Sequence, residues 1–142
     1  MKSHNKISFY PQEFTKKWIG EPSLKDFEIL TSSKFGKHVI SKTNFKIDEL
    51  VFVFSGQLLT KRTLRSLQIS DNLHIHDPYF MGYIAHSCDP NCTVNIETLS
   101  FISRKDISKG DIISMDYKET ETNLFRSFTC SCGSTNCRGI IS

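Results

Sequence analysis

Three cysteines within eight residues, Cys130, Cys132 and Cys137, constrain this chain more than any other feature. A Gly-containing turn interrupts the run, which suits three thiolates converging on one tetrahedral ion better than a pair of disulfides. A fourth ligand then has to come from elsewhere, and the remaining thiols are Cys88 and Cys92. Cys88 lies in a Pro-containing turn that could present it outward. No apolar run reaches membrane-spanning length and Met1-Lys2-Ser3-His4 opens onto no signal-peptide core. The expected setting is therefore intracellular: cytoplasmic in a bacterium, nuclear or cytoplasmic in a eukaryote. Thiols stay reduced there, and an odd number of cysteines favours zinc over a disulfide framework.

Three segments carry a resemblance. They are Ala85-His86-Ser87-Cys88-Asp89-Pro90-Asn91, then the stretch from Gly110 that ends in Met115-Asp116-Tyr117, then Phe128 to Gly139 with its C-x-C-x4-C-x-G pattern. Together they resemble SET-domain protein lysine methyltransferases with a post-SET zinc motif. The family's core reads N-H-S-C-x-P-N and its tyrosine segment ends in D-Y; both match here except that Ala85 stands in place of Asn. The likeness extends upstream through Phe27 to Ser41 and Ile47 to Gly56. It divides the chain into an N-terminal helical extension (1–26), a SET domain (27–122) and a post-SET zinc-binding tail (123–142).

The resemblance implies a mostly β fold of several small curved sheets with short helices. It also implies a C-terminal pseudoknot that sets the His86-Ser87-Cys88 and Asp116-Tyr117 segments side by side. Sequence pattern alone could not supply that topology, since threaded chains are rare. The implied activity is transfer of a methyl group from S-adenosylmethionine to a lysine of a basic protein or peptide, with Tyr117 as the catalytic tyrosine. Cofactor contacts would come from Gly36, Lys37, His38, Tyr83, Ala85, His86 and Tyr117. Cys88, Cys130, Cys132 and Cys137 would hold a structural zinc with no open position, and Phe128 would either wall the lysine channel or serve packing alone. Lysine has an ordinary pKa near ~10.4, so the site has to favour the neutral amine.

Composition agrees with one compact domain, and 142 residues allow little more. Residues 1–71 carry 12 Lys and Arg against 7 Asp and Glu, yet no concentrated basic block or RNA-binding aromatic motif points to nucleic acid. Pro11 to Gly20 reads as a short helix with Phe14 and Trp18 on one face. Short apolar runs at Phe27 to Leu30, Val39-Ile40, Val51 to Phe54 and Leu73 to Ile75 read as strands, and Val94 to Ser103 as a hairpin. Thr60 is expected to cap a brief helix with Leu64 and Leu67 inward. Period two over Ile112 to Tyr117 puts Ile113, Met115 and Tyr117 on one face. His74 and His76 are better read as ordinary histidines than as metal ligands, and Cys92 as a small buried residue.

Departures from the family pattern leave a second function open. The second glycine of its G-x-G motif is His38, and the Arg and Asn of its R-F-x-N-H-S stretch are Gly82 and Ala85. A domain weakened in this way would serve as a peptide-binding or scaffolding module. If the cofactor binds in the family's pose, Ala85→Asn restores an amide to a polar group of the cofactor. Titration calorimetry should then show affinity rising by about two- to tenfold; no gain would mean that the group is already satisfied.

Overall fold

Apolar residues alternate with polar ones here, and Gly, Asn or Asp breaks the pattern every few positions, so strands form early and end early. The computed structural model describes residues 8–11 and 18–142. The helix expected over 11–20 falls for the most part outside the described residues. Trp18, which is described, packs against the core and donates its indole N–H to the Val53 carbonyl at 2.8 Å.

Strands β1 (Phe27–Ser32) and β2 (Gly36–Ser41) form an antiparallel hairpin. Its turn closes with Gly36 at φ +65° and with the Ser32 hydroxyl accepting the Phe35 amide at 3.0 Å. Strands β3 (Leu50–Val53), β8 (Cys92–Asn95) and β9 (Ser100–Ser103) make a three-stranded sheet in the order β3-β9-β8. The expected hairpin is β8 and β9, closed by Asn95, whose side-chain oxygen accepts the amides of Glu97 at 2.9 Å and Thr98 at 3.3 Å. A second three-stranded sheet joins β4 (Gln57–Leu59), β5 (Ser66–Ser70) and β6 (Leu73–His76) in the order β4-β6-β5.

The remaining strands are pairs of two residues. Strand β7 (Ala85–His86) lies parallel to β10 (Ser114–Met115), and β11 (Phe128–Thr129) pairs antiparallel with β12 (Ile140–Ile141). Single 3-10 turns cover Met81–Tyr83 and Tyr117–Glu119. The fold is mostly β, of several small sheets, as expected. The β7–β10 pair sets the two motif segments side by side. Among the described residues no helix is long and apolar enough to cross a membrane.

Two local expectations are corrected. No helix starts at Thr60: the Ser66 hydroxyl accepts the Thr63 amide at 2.8 Å and donates to the Thr63 carbonyl at 3.0 Å, closing a turn instead. Such side-chain bonds compete with a helical ladder, and Leu64 is left 51% exposed while Leu67 alone is buried. The strand expected over 112–117 is only β10. Tyr117 opens the following 3-10 turn, because the Asp116 carboxylate accepts the Lys118 amide at 3.0 Å and caps it.

A phenylalanine cluster joins the sheets. Phe27, Phe52, Phe54, Phe80 and Phe101 are buried. Phe52 stacks on Phe101 at 4.5 Å and meets Phe80 edge-on at 4.8 Å. Burying each ring stabilises the fold by roughly 1.5–3 kcal/mol. Beside this cluster, the fully buried Asp77 carboxylate accepts the amides of Tyr79, Phe80 and Met81 at 2.8–3.0 Å and the Tyr10 hydroxyl at 2.6 Å. That carboxylate shapes the loop leading to β7. Tyr10→Phe should therefore lower stability by about 1.5–3 kcal/mol, the range for a hydrogen bond to a charged group. Urea denaturation would show it as a lower midpoint at unchanged slope, and an unchanged midpoint would contradict this account of the loop.

Candidate active site and metal centre

The parallel strands β7 and β10 position the site. Asn91 follows β7 and clamps the far strand: its Nδ2 donates to the Ile112 carbonyl at 2.8 Å and its Oδ1 accepts the Ser114 amide at 2.9 Å. The Ser87 amide donates to the Met115 carbonyl at 2.9 Å, which extends the pairing by one residue. Registered this way, Tyr117 leaves β10 beside His86.

His86 bonds in two directions. Its Nδ1 accepts the Tyr117 amide at 3.0 Å, which assigns the ring proton to Nε2, 3.5 Å from the Cys88 sulfur. Burial pushes the ring below its ordinary pKa, opposed by Asp116 and aided by Arg138, so the imidazole is neutral at pH 7. Its 3.8 Å approach to Asp116 is accordingly no ion pair. Asp116 pairs with Arg138 instead, at 2.7 Å. Burial would raise the Asp116 carboxyl, but the Arg138 bond and the Lys118 amide together hold it below its usual range.

Tyr117 donates its hydroxyl to the Ile84 carbonyl at 2.5 Å. Its pKa is pushed up to about 12, chiefly by burial. Edge-on contacts join Phe128 to His86 at 5.6 Å and to Tyr117 at 6.0 Å, forming a three-ring wall.

Two cavities share part of this wall, Tyr117 and Phe128. The larger, about 290 Å³, is lined by Lys37, Tyr83, Ala85, His86 and Tyr117 among others. These are five of the seven residues that the sequence suggested for a cofactor. Gly36 and His38 lie outside it: Gly36 forms the hairpin turn, and His38 is buried in β2 with Nδ1 2.9 Å from the Gly36 carbonyl. The smaller cavity, about 150 Å³, lies against Leu67, Met81 and Met115. Leu64, Arg65, Ile84, Tyr117, Arg126 and Phe128 line both. The sequence reading missed Arg65, Arg126 and Leu64, which come from turns that carry no motif.

Gly82, where the family has Arg, is a close-approach position. A Cβ there would stand 2.2 Å from the Asp77 carbonyl and 2.7 Å from the Arg65 Cβ. Arg65 fills the space: its Nη1 donates to the Gly82 carbonyl at 2.9 Å and its guanidinium lies 4.3 Å from the Tyr83 ring centroid.

The four cysteines expected to bind metal are brought together, and among the described residues they form the cluster able to hold an ion. The sulfurs of Cys88, Cys130, Cys132 and Cys137 lie within 4.8 Å of one another, with Cys88 and Cys130 at 3.9 Å. Thiolates at ~2.3 Å around a tetrahedral zinc would stand roughly 3.8 Å apart, so the set fits that ion. Amides support the sulfurs: Arg138 N–H points at Cys88 and Cys132 N–H at Cys130, both at 3.4 Å. Cys92 is fully buried in the main core, its thiol pushed up to about 12 by burial, and takes no part. His74 and His76 are outside the cluster; His76 bonds to Thr63 at 2.8 Å. Purified chain should carry one zinc by elemental analysis, and Cys132→Ser should lose most of it. Full zinc retention in the variant would contradict the ligand set.

Comparisons with known proteins agree with this architecture. A methyltransferase of Aspergillus flavus, flvH, is 34% identical over 83 residues, covering 57% of this chain and 47% of flvH. Human histone-lysine N-methyltransferase 2D is 33% identical over 78 residues, covering 48% of this chain and 1% of that protein. The chain thus spans less than half the length of these relatives. Among solved structures, KRYPTONITE in complex with mCHG DNA and SAH superimposes with a TM-score of 0.68 at 22% identity, covering 84% of this chain and 30% of that one. The fold is therefore shared. A SET-domain family model matches residues 36–118, a stretch that runs from the start of β2 through Tyr117 and takes in both strands of the parallel pair: this chain belongs to the SET-domain family.

Proposed function

We propose that the chain transfers a methyl group from S-adenosylmethionine to a lysine side chain of a protein, with a zinc-held tail closing the site. One observation carries this reading: two cavities share a wall containing Tyr117, Ile84 and Phe128. A donor in one cavity and a lysine in the other would meet at those shared residues. The relatives named as histone-lysine methyltransferases and the SAH and H3 peptide named with KRYPTONITE support it.

The larger cavity suits the cofactor. Phe35, Tyr83 and Phe128 bring aromatic rings to it, and Lys34 and Lys37 bring cations suited to a carboxylate. When bound, S-adenosylmethionine supplies the methyl group on a sulfonium. Tyr117 then acts as a neutral phenol, since its pKa of about 12 leaves it protonated at pH 7. Its proton is committed to the Ile84 carbonyl. The oxygen can therefore only accept, and an N–H of the incoming amine directed at it turns the lone pair away toward the donor. No base is needed if the amine enters neutral; the Arg65 and Arg126 cations at the shared wall disfavour an ammonium there.

Two of the three departures that favoured a binding module, His38 and Gly82, have a structural account. His38 sits in β2 and is not among the residues at positive φ, so the missing glycine is not required there. Gly82 is the residue that admits Arg65. Cys88, Cys130, Cys132 and Cys137 would hold zinc and fasten the tail next to Phe128, a structural role with no open coordination position.

Tyr117→Phe should keep the fold by circular dichroism yet lower single-turnover methylation of a lysine peptide by about 100-fold, the scale for loss of one preorganised polar group. An unchanged rate would refute the assignment of Tyr117.

A further inference from the structure

The charge of the two cavities is one-sided. Lys34, Lys37, Arg65 and Arg126 line them, against one carboxylate, Glu121. Glu121 is 8% exposed and already engaged: its Oε2 accepts the Gln68 amide and the Thr120 hydroxyl, both at 2.7 Å, and its Oε1 lies 3.9 Å from Arg62. The acids next to Tyr117 are committed too. Asp116 pairs with Arg138, and Glu119 binds the Thr93 hydroxyl and the Val94 amide. A segment entering the smaller cavity thus meets two arginines and no available carboxylate among the described residues lining it. At the same cavity Leu64 and Phe125 are 51% and 52% exposed.

Building on the methyltransferase reading above, we propose that the acceptor lysine lies in a segment with an acidic side chain beside it, received by Arg126 and Arg65, and an apolar neighbour packed against Leu64 and Phe125. Charge complementarity selects this occupant. A flanking Arg or Lys would add a third cation to two that no carboxylate lining the cavity compensates among the described residues, and like charges brought together oppose binding. Arg65 is held by the Gly82 carbonyl and the Tyr83 ring, so it cannot swing clear as a free surface side chain would. The requirement is local; a protein that is basic overall meets it wherever Asp or Glu stands next to a lysine.

The test uses the zinc-loaded chain, tritiated S-adenosylmethionine and three peptides with one central lysine, an apolar residue nearby, and Glu, Gln or Arg at the flanking positions. The expected order of kcat/KM is Glu above Gln above Arg, with about tenfold between the extremes at low salt and less at high salt. Arg126→Glu should reverse the order. Equal rates for the three peptides, or a preference for Arg flanks, would overturn the proposal and leave the methyltransferase reading intact. Transfer to none of them would overturn it as well, and direct titration with S-adenosylmethionine would then show whether the underlying reading falls with it.

Discussion

Everything at this site depends on the parallel register of two strands only two residues long each. Ala85–His86 and Ser114–Met115 are too short to hold each other by backbone bonds alone, and side chains make up the difference. Asn91 clamps the far strand from one side, and His86 catches the Tyr117 amide from the other. Buried polar groups of this kind fix geometry only when every member is satisfied. Here the second nitrogen of His86 faces the Cys88 sulfur, so the network runs on into the four-cysteine cluster. Arg138 adds a second tie, its backbone on Cys88 and its guanidinium on Asp116. The tail is thereby joined to the residue that precedes Tyr117.

Replacements in the cleft follow from packing. A family arginine is absent at position 82, yet a guanidinium reaches the Gly82 carbonyl from Arg65, and the glycine is what lets it approach. The two positions cannot be varied independently, because any side chain at 82 collides with the Asp77 carbonyl and with Arg65. Asp77 in turn is pinned by Tyr10 and three amides. Tyr10 thus bears on the cleft through its buried bond to Asp77.

Much of this was legible in the sequence, and the reasons are specific. Cys130, Cys132 and Cys137 could be read because thiolate ligands need fixed spacing and few other functions place three cysteines so closely; Cys88 as the fourth rested on the resemblance. The β8–β9 hairpin could be read because Asn95 and the alternation around it act locally. The turn after Thr60 was misread because the Thr63 and Ser66 hydroxyls outcompete a helical ladder, a contest that apolar spacing does not report. Arg65, Arg126 and Leu64 were invisible for another reason: they become cleft residues only when distant turns meet across the parallel pair. The role of Gly82 was hidden in the same way, since a missing side chain looks like a loss until its space is seen to be filled.

The central claim is that the larger cavity is a cofactor site. Isothermal titration of S-adenosylmethionine into the zinc-loaded chain tests it most directly. The account predicts saturable binding at one site per chain, competed by the demethylated product. A titration with no binding signal in folded, zinc-replete protein would contradict it.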